Sequence, residues 1–175
     1  MTKLRFARSA LSVGFILGLA GLAAADTVPP GYSYNLPLDL ALEAASEAVR
    51  VCESHGYRVT ATVVDMAGTP KVVLRGDKAT VHTGESSYRK AFTVVTLGPE
   101  FDFDASSGFF AMQTSNPFAS QLATVRNVMA LPGAAAFMSQ GEMIAALGVG
   151  GAPGGDKDEV CARAGVDKVQ GRLPQ

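Results

Sequence analysis

The chain has 175 residues, 47% of them hydrophobic and 18% charged, with a formal net charge of −1. That length and balance suit one globular domain with an adequate core, and the absence of a basic stretch excludes nucleic acid as a partner. Past the N-terminus no apolar run is long enough to cross a bilayer.

Residues 1–25 read as a secretory signal peptide. Lys3, Arg5 and Arg8 form a positive start, Ala10 to Ala24 is apolar, and Ala23-Ala24-Ala25 supplies a cleavage site before Asp26. An uncleaved N-terminal anchor is the competing reading. Cleavage predicts an exported chain, periplasmic or secreted, with no membrane attachment afterwards. Residues 26–37, with Pro29, Pro30 and Pro37, form an N-terminal arm, and residues 38–175 form the domain.

Leu38 to His55 predicts a helix, with Leu38, Leu42, Ala45, Val49 and Cys52 on one apolar stripe and Gly56 as its stop. Arg58 to Val64 alternates and is β-branched, Asp65 to Pro70 is turn chemistry, and Lys71 to Arg75 returns as a second strand. Gly76 to Gly84 is a polar loop, and Thr83 is the expected cap of a helix over Glu85 to Leu97. Residues 98–114 carry four phenylalanines among acids and glycine and give no clear period; the phenylalanines at 101–110 either wall a ligand pocket or an oligomer contact, or are simply core. Asn116-Pro117 predicts a short helix from Pro117 to Met129. Leu131 to Met138 and Glu142 to Val149 flank Ser139-Gln140-Gly141 as a second hairpin. A glycine-rich turn leads into a last helix, Asp156 to Ala164, stopped by Gly165. The order α-β-β-α-α-β-β-α, with two separate hairpins, predicts an α+β domain on a mainly antiparallel sheet.

Cys52 and Cys161 permit one disulfide in an exported chain, and two small buried thiols are the alternative. His55 ends the first helix, where an imidazolium complements the helix dipole. His82 lies near Arg75, Lys78, Arg89 and Lys90 in sequence, so it is either a metal ligand with cationic neighbours or a solvent-facing loop residue. Arg75 and Asp77 offer an Arg–carboxylate pair that fixes the loop. Asp65 is expected to bond its own turn. The glycines at 150–155 open onto a helix start that holds an anion or serves as a plain turn. Asp156, Asp158 and Glu159 already occupy its positive end and favour the turn. A surface iron or calcium site on those three acids is the weaker alternative. No hydrolase, zinc-protease or phosphate-loop motif is present.

Four blocks carry a family resemblance. Val63-Val64-Asp65-Met66-Ala67-Gly68, Arg75-Gly76-Asp77, Ser86 to Thr93 with Lys90-Ala91, and Gly148 through Cys161 stand in the order of the GlcG/HbpS-like family, which also supplies the C-terminal domain of PduO proteins. The chain departs from the family pattern at Pro132 to Ala136 and at Gly150. The resemblance implies a PAS- or profilin-like α+β fold with a sheet of about five strands, assembled into compact homo-oligomers, often octamers. It further implies haem binding, haem degradation or redox-linked signalling with an exported sensor or redox partner. The residues expected to bind haem are His82, as ligand to its iron, with Arg75, Asp77, Arg89 and Lys90 around it. A haem-degrading enzyme is the second reading, although no catalytic residue can be named. A non-haem module for a flavin, a corrinoid or an organic acid is the third.

Overall fold

The computed structural model describes residues 35–174. The signal peptide and nearly all of the arm lie outside these residues. Helix α1 (Leu38–Ser54) leads into hairpin β1 (Thr60–Asp65) and β2 (Pro70–Arg75). Helices α2 (His82–Phe101), α3 (Ser106–Ser115) and α4 (Ala119–Leu122) follow, then hairpin β3 (Ala134–Ser139) and β4 (Glu142–Gly150), and finally α5 (Gly155–Val169). The class is α+β. Among the described residues the sheet has four strands rather than five, in the order β2-β1-β4-β3, antiparallel throughout.

The two hairpins meet through the pairing of β1 with β4, and helices cover both faces. Alternation sends Ala61, Val63, Leu147 and Val149 toward α1 and α5, where most of the core lies. Val64, Ala146, Ala134 and Ala136 face α2. Small residues let α2 lie close. A Cβ at Gly148 would collide with the Ser87 carbonyl, so β4 carries glycine where the helix crosses it. Two buried hydroxyl pairs, Thr60 with Thr83 and Thr62 with Ser87, each 2.7 Å apart, bind β1 to the same helix.

Several expectations need correction. α1 buries Leu40, Ala41, Ala44, Ala45, Ala48 and Cys52, a face made mostly of alanine, and leaves Leu38 and Leu42 exposed. α2 begins at His82, with Val81 before it, so Thr83 is no cap; its hydroxyl bonds Thr80 O and Thr60 instead. Pro99 sits in the last turn of α2, which closes at Asp102 in the left-handed region (φ 57). Of the helix expected over 117–129 only the single turn α4 forms. Residues 106–115, illegible by period, form a helix whose one buried apolar side chain is Phe109, with Ser106 buried at its start and its hydroxyl accepting from Ala134 N–H.

Gly165 does not stop the last helix, which runs on to Val169. A Cβ there would overlap the Ala44 carbonyl and come within 2.6 Å of Leu147 Cδ2. Glycine is what lets α5 touch α1 and the sheet together. Gly165→Ala is expected to cost about 1–3 kcal/mol through overpacking. A urea midpoint unchanged by that substitution contradicts the close approach.

Candidate functional site

Three groups of residues carry polar or cavity features, and α2 passes all of them. At its start, His82 is exposed and its Nδ1 lies 3.2 Å from Thr80 Oγ1. That contact orients the ring and leaves Nε2 as the nitrogen open to a ligand. Val81 beside it is 87% exposed. Arg75 Nε donates to Ala79 O at 2.9 Å and shapes the loop that delivers the chain to His82. Asp77 is exposed, and no ion pair joins it to Arg75 among the described residues. Arg89, two turns along α2 on the face of His82 and Glu85, donates to Val128 O at 2.8 Å and lies 3.5 Å from Glu85. Its Nε is enclosed without a partner. His82, Arg75, Asp77 and Arg89 therefore belong to surface or half-buried positions at or near one end of the sheet.

Lys90 points elsewhere. It is 3% exposed, and its ammonium donates to Asp158 at 2.6 Å and to Val149 O at 3.1 Å. Asp158 in turn accepts from Ala152 N–H. Burial pushes the Asp158 carboxyl above the usual carboxylate range, against the pull of Lys90 and of the Ala152 and Gly151 amides. Glu159, next in sequence, accepts from Ser107 N–H and Oγ at the start of α3, from Gly133 N–H and from Arg163. These two acids are pins: Asp158 holds α5 to α2, and Glu159 holds it to α3 and the chain entering β3.

The glycine-rich turn thus has its own carboxylate in the position an outside anion would take. A surface metal site on Asp156, Asp158 and Glu159 is not formed, since Asp158 and Glu159 face inward, and no cluster of three ligating acids, histidines or cysteines exists among the described residues. The pinning role was invisible in the sequence because nothing local shows that Lys90 and Asp158 meet.

Asp65 Oδ1 accepts from Ala67 and Thr69 N–H, each at 2.9 Å, and closes the β1–β2 turn. His55 stands at the end of α1, 6.0 Å from the Tyr57 ring. Cys52 of α1 and Cys161 of α5 are joined as a disulfide with 5.6 Å between Cα atoms, both side chains fully buried.

A cavity of about 850 Å³ opens at the far end of α2, roughly 24 Å from His82 at the helical rise. Met66, Met138, Met143 and Phe103 form its apolar wall, and Asp102, Asp104 and Glu142 its acidic rim. No lysine, arginine or histidine lines it among the described residues. Phe103 of the phenylalanine-rich 101–110 segment does line this cavity, while its other walls come from two hairpin turns that carry no local signal of a site.

Among solved structures, the chain is similar to HbpS, with 36% identity over 78% of this chain and 92% of that one and a TM-score of 0.71. A double mutant of Streptomyces reticuli HbpS shares 31% identity over 93% of this chain and 99% of that one, at a TM-score of 0.70. PduOC, solved as a haem complex, shares the fold at 22% identity and a TM-score of 0.65, over 76% of this chain and 94% of that one. No curated protein matches the chain. A family model described as haem-degrading protein HbpS-like matches residues 36–167, nearly all of the described fold. The chain belongs to the HbpS-like family.

Proposed function

We propose that this protein binds haem on the surface at the start of α2, with His82 Nε2 as ligand to the iron. The carrying observation is membership of a family described as haem-degrading. Of the two histidines in the sequence, His82 begins a helix beside an exposed valine, with its other nitrogen held by Thr80, an arrangement suited to an axial ligand. Arg75 and Arg89 are the cations for the propionates, with Asp77 at the edge of the site. Lys90 supports α2 from inside. The cavity at the other end of the helix does not fit haem, because its three carboxylates would face two propionates with no cation between them.

So exposed a site gains an enclosed apolar environment when a second copy covers it, which favours a homo-oligomer. Light scattering tests that: a monomer at micromolar concentration argues against a covered site. Titrating hemin into the purified protein is expected to give a saturable Soret shift that His82→Ala abolishes or moves. No saturable shift, or one indifferent to His82→Ala, refutes the respective part. Haem degradation is the second reading, favoured by the family description. Loss of the Soret band with release of iron and a tetrapyrrole product under peroxide or reductant distinguishes it from storage, transport or sensing. Export past the inner membrane is supported by the buried Cys52–Cys161 bridge, which persists in oxidising compartments. Mature protein beginning at Asp26 is the expected result of N-terminal sequencing.

A further inference from the structure

The cavity at the C-terminal end of α2 is built for a ligand of opposite charge to haem. Its about 850 Å³ lies within the range of sites that enclose drug-sized molecules. Three of the chain's six methionines converge on it. Met138 and Met143 are cross-strand partners at the β3–β4 turn, and Met66 enters from the β1–β2 turn. Thioether side chains are flexible and polarizable, and they mould to varied apolar shapes. Phe103 adds an aromatic ring to the lining, a residue type whose π-system attracts cations. Exposed Asp102, Asp104 and Glu142 stand at the mouth, and among the described residues no basic side chain lines the cavity to neutralise them. Apolar walls with uncompensated carboxylates select an amphipathic cation and reject an anion of the same shape.

We propose that this cavity is a second binding site, independent of haem, for an amphipathic organic cation such as a quaternary ammonium or phosphonium compound. Glycines keep the site open. A Cβ at Gly98 would meet Met143 Cε at 2.8 Å, and one at Gly108 would meet Phe103 Cγ at 3.0 Å, so both positions leave room for the side chains that form the wall.

The test uses tetraphenylphosphonium and its isosteric anion tetraphenylborate, titrated calorimetrically into the full mature protein. Saturable binding of one phosphonium per chain is expected, at least tenfold tighter than the borate and weakened by salt. Asp102→Asn with Glu142→Gln is expected to weaken it about three- to tenfold. Asparagine keeps the left-handed backbone at position 102, so the fold is preserved. Met66→Arg, at a position 40% exposed, places a like charge at the mouth and is expected to abolish binding with the circular dichroism spectrum and thermal midpoint unchanged. Hemin titration of the same variant reads the other site separately, and an unchanged Soret response is expected. Equal affinity for the borate, indifference to Met66→Arg, or no phosphonium binding overturns the proposal. Silver(I) binding in place of phosphonium binding also overturns it, in favour of a thioether metal site.

Discussion

Lys90→Met is expected to lower stability by about 3–5 kcal/mol at neutral pH, because it leaves the Asp158 carboxylate buried without its cation. On a domain of this size that is a fall in thermal midpoint on the order of 10–20 °C. Lys90 and Asp158 are 3% and 2% exposed and 2.6 Å apart, so water cannot replace the lost partner. The double variant Lys90→Met with Asp158→Leu is expected to recover most of the loss, since a packed apolar pair carries no desolvation cost. If the double variant is no more stable than the single one, the cost lies in packing and not in the stranded charge.

The pH dependence has a definite sign. Burial raises the folded-state pKa of Asp158 above its ordinary value. Such a group contributes its stability below the unfolded pKa and loses it as pH rises through the folded one. Removing Lys90 takes away the principal force opposing that rise. The variant is therefore expected to be weakest at neutral pH and to approach the parent as the solution is acidified toward the carboxylate range. Urea midpoints of both proteins across that range check it. A gap that widens on acidification contradicts the assignment.

Loss of the Cys52–Cys161 bridge is the second large effect. It closes a loop with a sequence separation of 109, for which chain entropy in the unfolded state predicts about 4.7 kcal/mol, within a usual range of about 2–5. Cys52→Ala with Cys161→Ala is expected to fall in that range, as is the parent unfolded and refolded in reductant. The bridge ties α1 to α5 on the face where Gly165 permits their contact, so its loss loosens the layer over the larger core. The α2 face, pinned by Lys90, is affected less. Hydrogen exchange should show the difference, with α1 and α5 amides losing more protection than those of α2. Equal midpoints with and without the bridge, with free thiols verified, argue that the bridge contributes no stability.

Local chemistry made much of the fold legible. The β-branched alternation around Val63, the Asp65 turn and the Ser139-Gln140-Gly141 turn between two apolar runs placed both hairpins. Helix ends were less readable. α2 starts three residues early because the buried Thr60–Thr83 pair holds its first turn to the sheet, a contact distant in sequence. The 98–114 segment carried no period because α3 has one deep anchor, Phe109, and is otherwise held by Glu159 at its start. For the site, His82 and Arg75 do fall near one end of the sheet, while Lys90 does not join them. Lys90 stands one residue past Arg89 on α2, and at 3.6 residues per turn that step moves a side chain from the rim to the interior.

Elements with local causes are legible in the chain: two hairpins, the flanking helices and the motifs that carry the family. Tertiary structure alone decided that Lys90 belongs to Asp158, that Gly165 is a contact and not a stop, and that three methionines and three acids share one cavity. Those outcomes depend on which faces meet after the β1–β4 pairing joins the two hairpins. Pairing between segments so far apart in the chain is set by global packing, which no local pattern encodes.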